Sequence, residues 1–171
     1  MDNGGLFKLS HSRAKVNFSM KNKKQIYISE SPGQTKRLGR LLARKILGEK
    51  SGAAARVLAL FGDLGAGKTN FIQGFAAGLG IKETINSPTF TILKKYSLPG
   101  NGCENFYHID FYRLGAEDDL ELLGIKKILN DKNNIVAIEW PQVAAEFLPQ
   151  SARAISFEIA GAKTRRLLAE F

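Results

Sequence analysis

Residues 62–69 read Gly-Asp-Leu-Gly-Ala-Gly-Lys-Thr, a full match to the spacing Gly-x-x-x-x-Gly-Lys-[Ser/Thr]. That spacing suits a polyphosphate. Glycines at 62, 65 and 67 let the main chain take conformations closed to residues with a Cβ, and bring N–H groups close to phosphate oxygens. The Lys68 ammonium supplies mobile positive charge, and Thr69 offers a hydroxyl to Mg2+. A helix starting there would turn the positive end of its dipole towards the anion. The expected nucleotide-binding set is therefore Gly62, Asp63, Leu64, Gly65, Ala66, Gly67, Lys68, Thr69 and Asn70, with ATP and Mg2+ as the ligands.

Such a loop needs an acidic partner at the end of a neighbouring strand. Two carboxylates qualify: Asp110, after the β-rich run 106–109, and Glu139, after 135–138. Either can approach a metal or accept a proton from water, so the residues alone leave metal ligand and water-positioning base unassigned between them. Asn86-Ser87-Pro88-Thr89 follows the loop helix, where a threonine able to meet the metal or the last phosphate is expected. His108 reads as a satisfied structural histidine. Cys103, the lone cysteine, lies beside Gly100 and Gly102 and reads as a surface-loop thiol with no role.

The elements around these residues follow from periodicity. Residues 56–61 (RVLALF) form a continuous apolar run of strand length, as for a central strand covered on both faces, and lead straight into Gly62. Beyond Lys68, the positions Phe71, Ile72, Phe75 and Leu79 make one helical stripe, with Gly74, Ala76, Ala77 and Gly78 allowing close packing. Upstream, 25–29 reads as a strand and 34–47 as a helix introduced by Ser31-Pro32 and closed by Gly48. Downstream, 89–98 and 104–109 read as an antiparallel pair around Pro99-Gly100-Asn101-Gly102. Residues 116–123 read as an acidic helix, 135–138 as a buried strand, 141–148 as a helix, and 154–160 with 164–171 as a hairpin around Gly161. The predicted fold is α/β: a P-loop NTPase core with a mostly parallel central sheet, antiparallel additions and flanking helices.

The 171 residues fit one domain over 25–171. At 44% hydrophobic and 24% charged, the chain has ordinary globular composition, and no apolar run spans a bilayer. One cysteine and no apolar signal region favour a cytoplasmic location. The net charge of +9 is uneven, because residues 1–24 hold six Lys and Arg against Asp2 alone. That segment reads as a disordered basic leader, in which Met20 is an alternative start. Its charge favours polyanions such as RNA.

GDLGAGKT at 62–69, SPTF at 87–90, YHIDFYRL at 107–114 and IEWP at 138–141 together resemble the TsaE family. Its members are bacterial P-loop ATPases supporting threonylcarbamoyl modification of adenosine 37 in tRNA. The resemblance implies that Lys68 grips phosphate, that Thr69 and Glu139 hold Mg2+, and that Asp110 is the acid on which hydrolysis depends. It makes 87–90, including Thr89, the switch segment, Trp140 the aromatic beside the nucleotide, Thr35 a residue near the adenine, and Arg165 or Arg166 the C-terminal basic position. It implies TsaB and TsaD as partners, with tRNA met indirectly through that complex and no membrane. Two competing readings share some features. A small-molecule kinase needs an arginine-rich lid, yet Arg113 is the only arginine between Arg56 and Arg153. An RNA-binding module would rest on the basic leader.

Overall fold

The structure is a computed structural model that describes residues 24–50, 52–100, 102–115 and 123–170. Strand β1 (Lys24–Ser29) leads into helix α1 (Pro32–Leu47). Pro32 occupies the first turn, where its missing N–H costs nothing, and the Ser31 hydroxyl accepts the Gln34 N–H at 3.2 Å. Strand β2 (Arg56–Phe61) and helix α2 (Lys68–Gly78) bracket the glycine loop. Then come β3 (Leu93–Ser97), β4 (Asn105–Asp110), a short α3 (Ile125–Asn130), β5 (Asn134–Glu139), a 3-10 helix (Pro141–Phe147), β6 (Arg153–Ile159) and β7 (Arg165–Glu170).

Among the described residues, seven strands make one sheet in the order β1-β7-β6-β2-β5-β4-β3. Its centre is parallel, β2 pairing with β5 and β6 and β4 with β5, while both edges are antiparallel. This is the expected α/β core with antiparallel additions. β2 is buried along its middle, and alternation divides it: Leu58 and Leu60 face α1 and α2, whereas Val57 faces α3 and the 3-10 helix. Among the described residues no helix is long and apolar enough to cross a membrane.

Helices α1 and α2 meet at their backbones. A Cβ on Gly74 would lie 1.9 Å from the Lys36 carbonyl oxygen, and one on Gly39 would lie 2.2 Å from that of Phe71. Only glycine permits that approach, which seats α2 under α1 and so fixes where the loop opens.

Two expectations change. Residues 89–92 are not strand: Pro88 O accepts the N–H groups of Thr91 (2.9 Å) and Ile92 (2.6 Å), a turn that delays β3 to Leu93. Cys103 is buried rather than a surface thiol. The Arg56 guanidinium donates to its sulfur, and burial pushes its pKa up against the pull of that cation. The six residues of α3 are too few to show a helical period in the sequence. The leader expected over 1–24 (beyond Lys24), Met20, and the acidic helix expected at 116–123 (beyond Leu123) lie outside the described residues.

Candidate nucleotide site

The loop leaves β2 at Gly62 with φ 137°, where a Cβ would sit 2.5 Å from the Phe157 carbonyl oxygen, so no other residue fits. Gly65 (φ 77°) and Gly67 (φ 99°) continue the left-handed path and deliver the chain to α2. Lys68, the first residue of α2, is buried and folds back. Its Nζ donates to Gly62 O at 2.7 Å and Asp63 O at 2.9 Å, and lies 4.6 Å from the centre of the Trp140 ring. Burial pushes its pKa below that of an ordinary lysine, while the carboxylates of Glu139, Asp110 and Asp63 pull it back up.

Strand register brings the acids to the same place. Asp110 and Glu139 end β4 and β5 and are paired across that parallel ladder. Alternation turns Phe106, His108 and Asp110 of β4, and Ile135, Ala137 and Glu139 of β5, towards α2. The Thr69 hydroxyl donates to Glu139 Oε1 at 3.2 Å, and His108 Nε2 lies 3.0 Å from the same oxygen. Asp110 instead holds the 87–89 segment. Its Oδ2 accepts the hydroxyls of Ser87 (2.7 Å) and Thr89 (2.5 Å), and its Oδ1 accepts the Tyr112 N–H (3.0 Å). The loop, these carboxylates, Tyr112 and Trp140 line one cleft of about 280 Å³.

Of the expected residues, Leu64, Gly65, Gly67, Lys68, Thr69, Asn70, Thr89, Asp110, Glu139 and Trp140 line that cleft. Gly62, Asp63 and Ala66 shape the loop from outside it, with Ala66 in the core. Thr35 is buried with its hydroxyl 2.7 Å from Ser29 Oγ, and its methyl lies 3.8 Å from where a Gly67 Cβ would stand. Thr35 therefore backs the loop rather than lining the cleft. Arg165 Nη2 donates to Gly65 O at 3.0 Å, whereas Arg166 pairs with Glu158. Sequence reasoning missed Tyr112 at the cleft wall and the contact of His108 with Glu139. The second was open to discovery, since His108 lies two residues before Asp110 on one strand and must share its face.

The donor set suits a hard divalent cation: one hydroxyl and one carboxylate, 3.2 Å apart at the foot of an anion cradle, are the oxygen ligands Mg2+ takes beside phosphate and water. Trp140 (φ 57°) and Ile92 (φ 63°), the two non-glycine residues with positive φ among those described, flank the strand ends. Ile92 O accepts the Asp110 N–H at 2.9 Å. Strained backbone of this kind is held in place by its surroundings and concentrates at working sites.

A parallel central strand, a glycine loop folding into a helix, and carboxylates at the ends of neighbouring strands define a P-loop NTPase fold. Within that class the chain belongs to the TsaE family. The family described as "Threonylcarbamoyl adenosine biosynthesis protein TsaE" matches residues 29–167. Among relatives, the "tRNA threonylcarbamoyladenosine biosynthesis protein TsaE" of Bacillus subtilis is 44% identical over 65% of this chain and 66% of its own. The protein of the same description from Treponema pallidum is 38% identical over 77% of this chain and 90% of its own. The match thus spans about two thirds of the Bacillus protein and nearly all of the Treponema one. The crystal structure of Bacillus subtilis YdiB superposes with a TM-score of 0.67 at 31% identity, covering 88% of this chain and 87% of that one.

Proposed function

We propose that this chain binds ATP with Mg2+ in the cleft between the 62–69 loop and the ends of β4 and β5, and hydrolyses it. On this reading it acts with TsaB and TsaD in forming threonylcarbamoyladenosine at position 37 of tRNA, as an accessory ATPase and not as the enzyme that transfers the threonylcarbamoyl group. The single observation that carries the reading is the convergence of Lys68, Thr69, Asp110 and Glu139 on one cleft from three separate elements, α2, β4 and β5.

Main-chain N–H groups of the loop and the Lys68 ammonium hold the phosphates, and the start of α2 adds its dipole. Thr69 and Glu139 would hold Mg2+, which would supply charge neutralisation at the phosphoryl group. In hydrolysis the water oxygen bonds to the terminal phosphorus, the bridging P–O bond to ADP breaks, and the proton of the water leaves to a carboxylate or phosphate oxygen. On this reading Asp110 orients that water. An ionised carboxylate offers about four acceptor sites, and Ser87, Thr89 and Tyr112 N–H use three of them. Release or capture of the two hydroxyls then couples the 87–89 segment to the chemistry.

No arginine lines the cleft among the described residues. Among the described residues the Arg165 guanidinium is engaged by the Gly65 carbonyl instead of lining the cleft, which supports slow turnover alone and acceleration by an assembled partner. Phosphate release from ATP, measured with and without a TsaB–TsaD complex, tests this. Low turnover that rises on adding the complex is expected; fast turnover indifferent to it sinks the coupling, and ATP binding unchanged in Lys68→Ala sinks the site.

A further inference from the structure

Two tight turns stand together at the mouth of the cleft. In one, Pro88 O accepts the Thr91 N–H at 2.9 Å, with Thr89 and Phe90 between them; in the other, Phe111 O accepts the Leu114 N–H at 3.0 Å, with Tyr112 and Arg113 between them. In each turn the first central residue, Thr89 or Tyr112, lines the cleft, and the second lies outside it. The two outer residues meet: the Arg113 guanidinium carbon is 4.3 Å from the centre of the Phe90 ring. Phe90 is the most exposed large apolar side chain among the described residues, at 84%, and Arg113 is exposed as well. A cation resting on an aromatic face in water prefers that position by only about two- to fivefold. Other arginines at this sheet are firmly committed. Arg165 donates to the carbonyls of Gly161, Thr164 and Gly65, Arg153 pairs with Glu49, and Arg166 pairs with Glu158. Among the described residues no carboxylate pairs with Arg113, and the ring is what holds it.

We propose that Arg113 is the guanidinium that stabilises the transition state of hydrolysis, stored on Phe90 and brought into the cleft by rotation of its own side chain. This role rests on the ATPase reading above. Consecutive Cα atoms are about 3.8 Å apart, so Arg113 starts one residue from Tyr112 at the cleft wall and three from Asp110, which holds Ser87 and Thr89. As the water oxygen bonds to the terminal phosphorus and the bridging P–O bond to ADP breaks, negative charge gathers on the bridging and terminal oxygens. A guanidinium meets that charge with paired N–H groups, and it stays protonated throughout, so it transfers no proton. Storage on Phe90 keeps the cation out of the cleft most of the time, in keeping with slow turnover alone. A simple clasp, in which Arg113 only holds the 87–90 segment through Phe90, makes a different prediction: loss of either partner then has the same effect.

The test is a pair of variants of the full chain with opposite expected signs. Phe90→Ala removes the resting place and should raise single-turnover hydrolysis of ATP by roughly two- to fivefold, the preference it abolishes. Arg113→Ala should lower it by about tenfold or more, and the double variant should match Arg113→Ala. Arg113→Lys should recover little, because an ammonium does not reproduce the planar fork. Binding gives an independent reading through Trp140 fluorescence, titrated with ADP alone and with ADP plus aluminium fluoride, a stand-in for the phosphoryl group in transfer. Arg113→Ala should lose about tenfold in affinity for the second and keep wild-type affinity for the first. Losses of the same sign in Phe90→Ala and Arg113→Ala overturn the proposal, since they mark a clasp. So does equal weakening of Arg113→Ala towards ADP with and without aluminium fluoride. A wild-type chain that binds no ATP defeats the nucleotide site and this role with it, whereas a wild type that hydrolyses ATP while Arg113→Ala keeps pace defeats this role alone.

Discussion

His108 Nε2 stands 3.0 Å from Glu139 Oε1, and both side chains are sealed from water, at 0% and 5% exposure. An ionised carboxylate only accepts, so the proton between them belongs to Nε2. Among the described residues Nδ1 has no hydrogen-bond partner, so the ring is fixed through Nε2–H and Glu139. The histidine orients the carboxylate that Thr69 also holds, leaving Glu139 Oε2 with only a 3.5 Å contact to the threonine.

Replacing His108 by leucine should leave phosphate binding by Lys68 in place and raise the Mg2+ concentration needed for tight nucleotide binding by roughly 10- to 100-fold, the usual cost of a lost outer-shell partner. His108→Gln, whose amide nitrogen reaches a position close to Nε2, should restore much of it. Trp140, the only tryptophan, gives the readout in Mg2+ titrations with ADP. Equal Mg2+ dependence in the leucine and glutamine variants would refute a positioning role.

Nucleotide affinity should weaken with rising pH earlier than an ordinary lysine predicts. Burial lowers the Lys68 pKa, so the ammonium that meets phosphate is fully present below that lowered value and is lost as pH rises through it, before the usual lysine range. Titration calorimetry from neutral pH to about 10 should show this decline, and Lys68→Arg, which stays charged, should flatten it.

Asp110→Asn keeps the shape of the side chain but weakens its grip on Ser87 and Thr89. ATP affinity should change little while turnover falls by about 100-fold or more, the scale of a lost acid–base or water-orienting group. Glu139→Ala should raise the Mg2+ requirement at least as far as His108→Leu does and, at saturating Mg2+, spare binding more than hydrolysis. Single-turnover measurement separates the two effects; a loss confined to affinity would count against both roles.

Gly74→Ala should destabilise the protein by about 1–3 kcal/mol or more, because its Cβ would meet a carbonyl oxygen at 1.9 Å and the two helices must part. Thermal unfolding should show a drop of several degrees. Gly33→Ala, whose Cβ would find its nearest neighbour at 3.8 Å, should be neutral or mildly stabilising.

The local readings succeeded where one segment suffices. The amphipathic stripe of α1, the apolar run of β2 and the hairpin around Gly161 each carry their own period or turn signal, and the α/β architecture follows from their order. Readings failed where a distant partner overrides local preference. Thr89 to Ile92 has β-forming residues, yet the Ser87 and Thr89 hydroxyls bond Asp110, more than twenty positions away, and the chain turns instead. Cys103 follows Gly100 and Gly102, which suggests a surface loop, but Arg56 from β2 closes over its sulfur.

What the sequence determined alone is the loop. Glycine backbone freedom, a lysine and a hydroxyl at 62–69 are properties of contiguous residues, and they need only a strand before and a helix after. Tertiary structure alone decided that Glu139 faces Thr69 while Asp110 holds Ser87 and Thr89, and that Arg165 and not Arg166 reaches Gly65. Those outcomes depend on the register of β4 with β5 and of β6 with β7, and register is set by the burial of whole strand faces, which no single segment records.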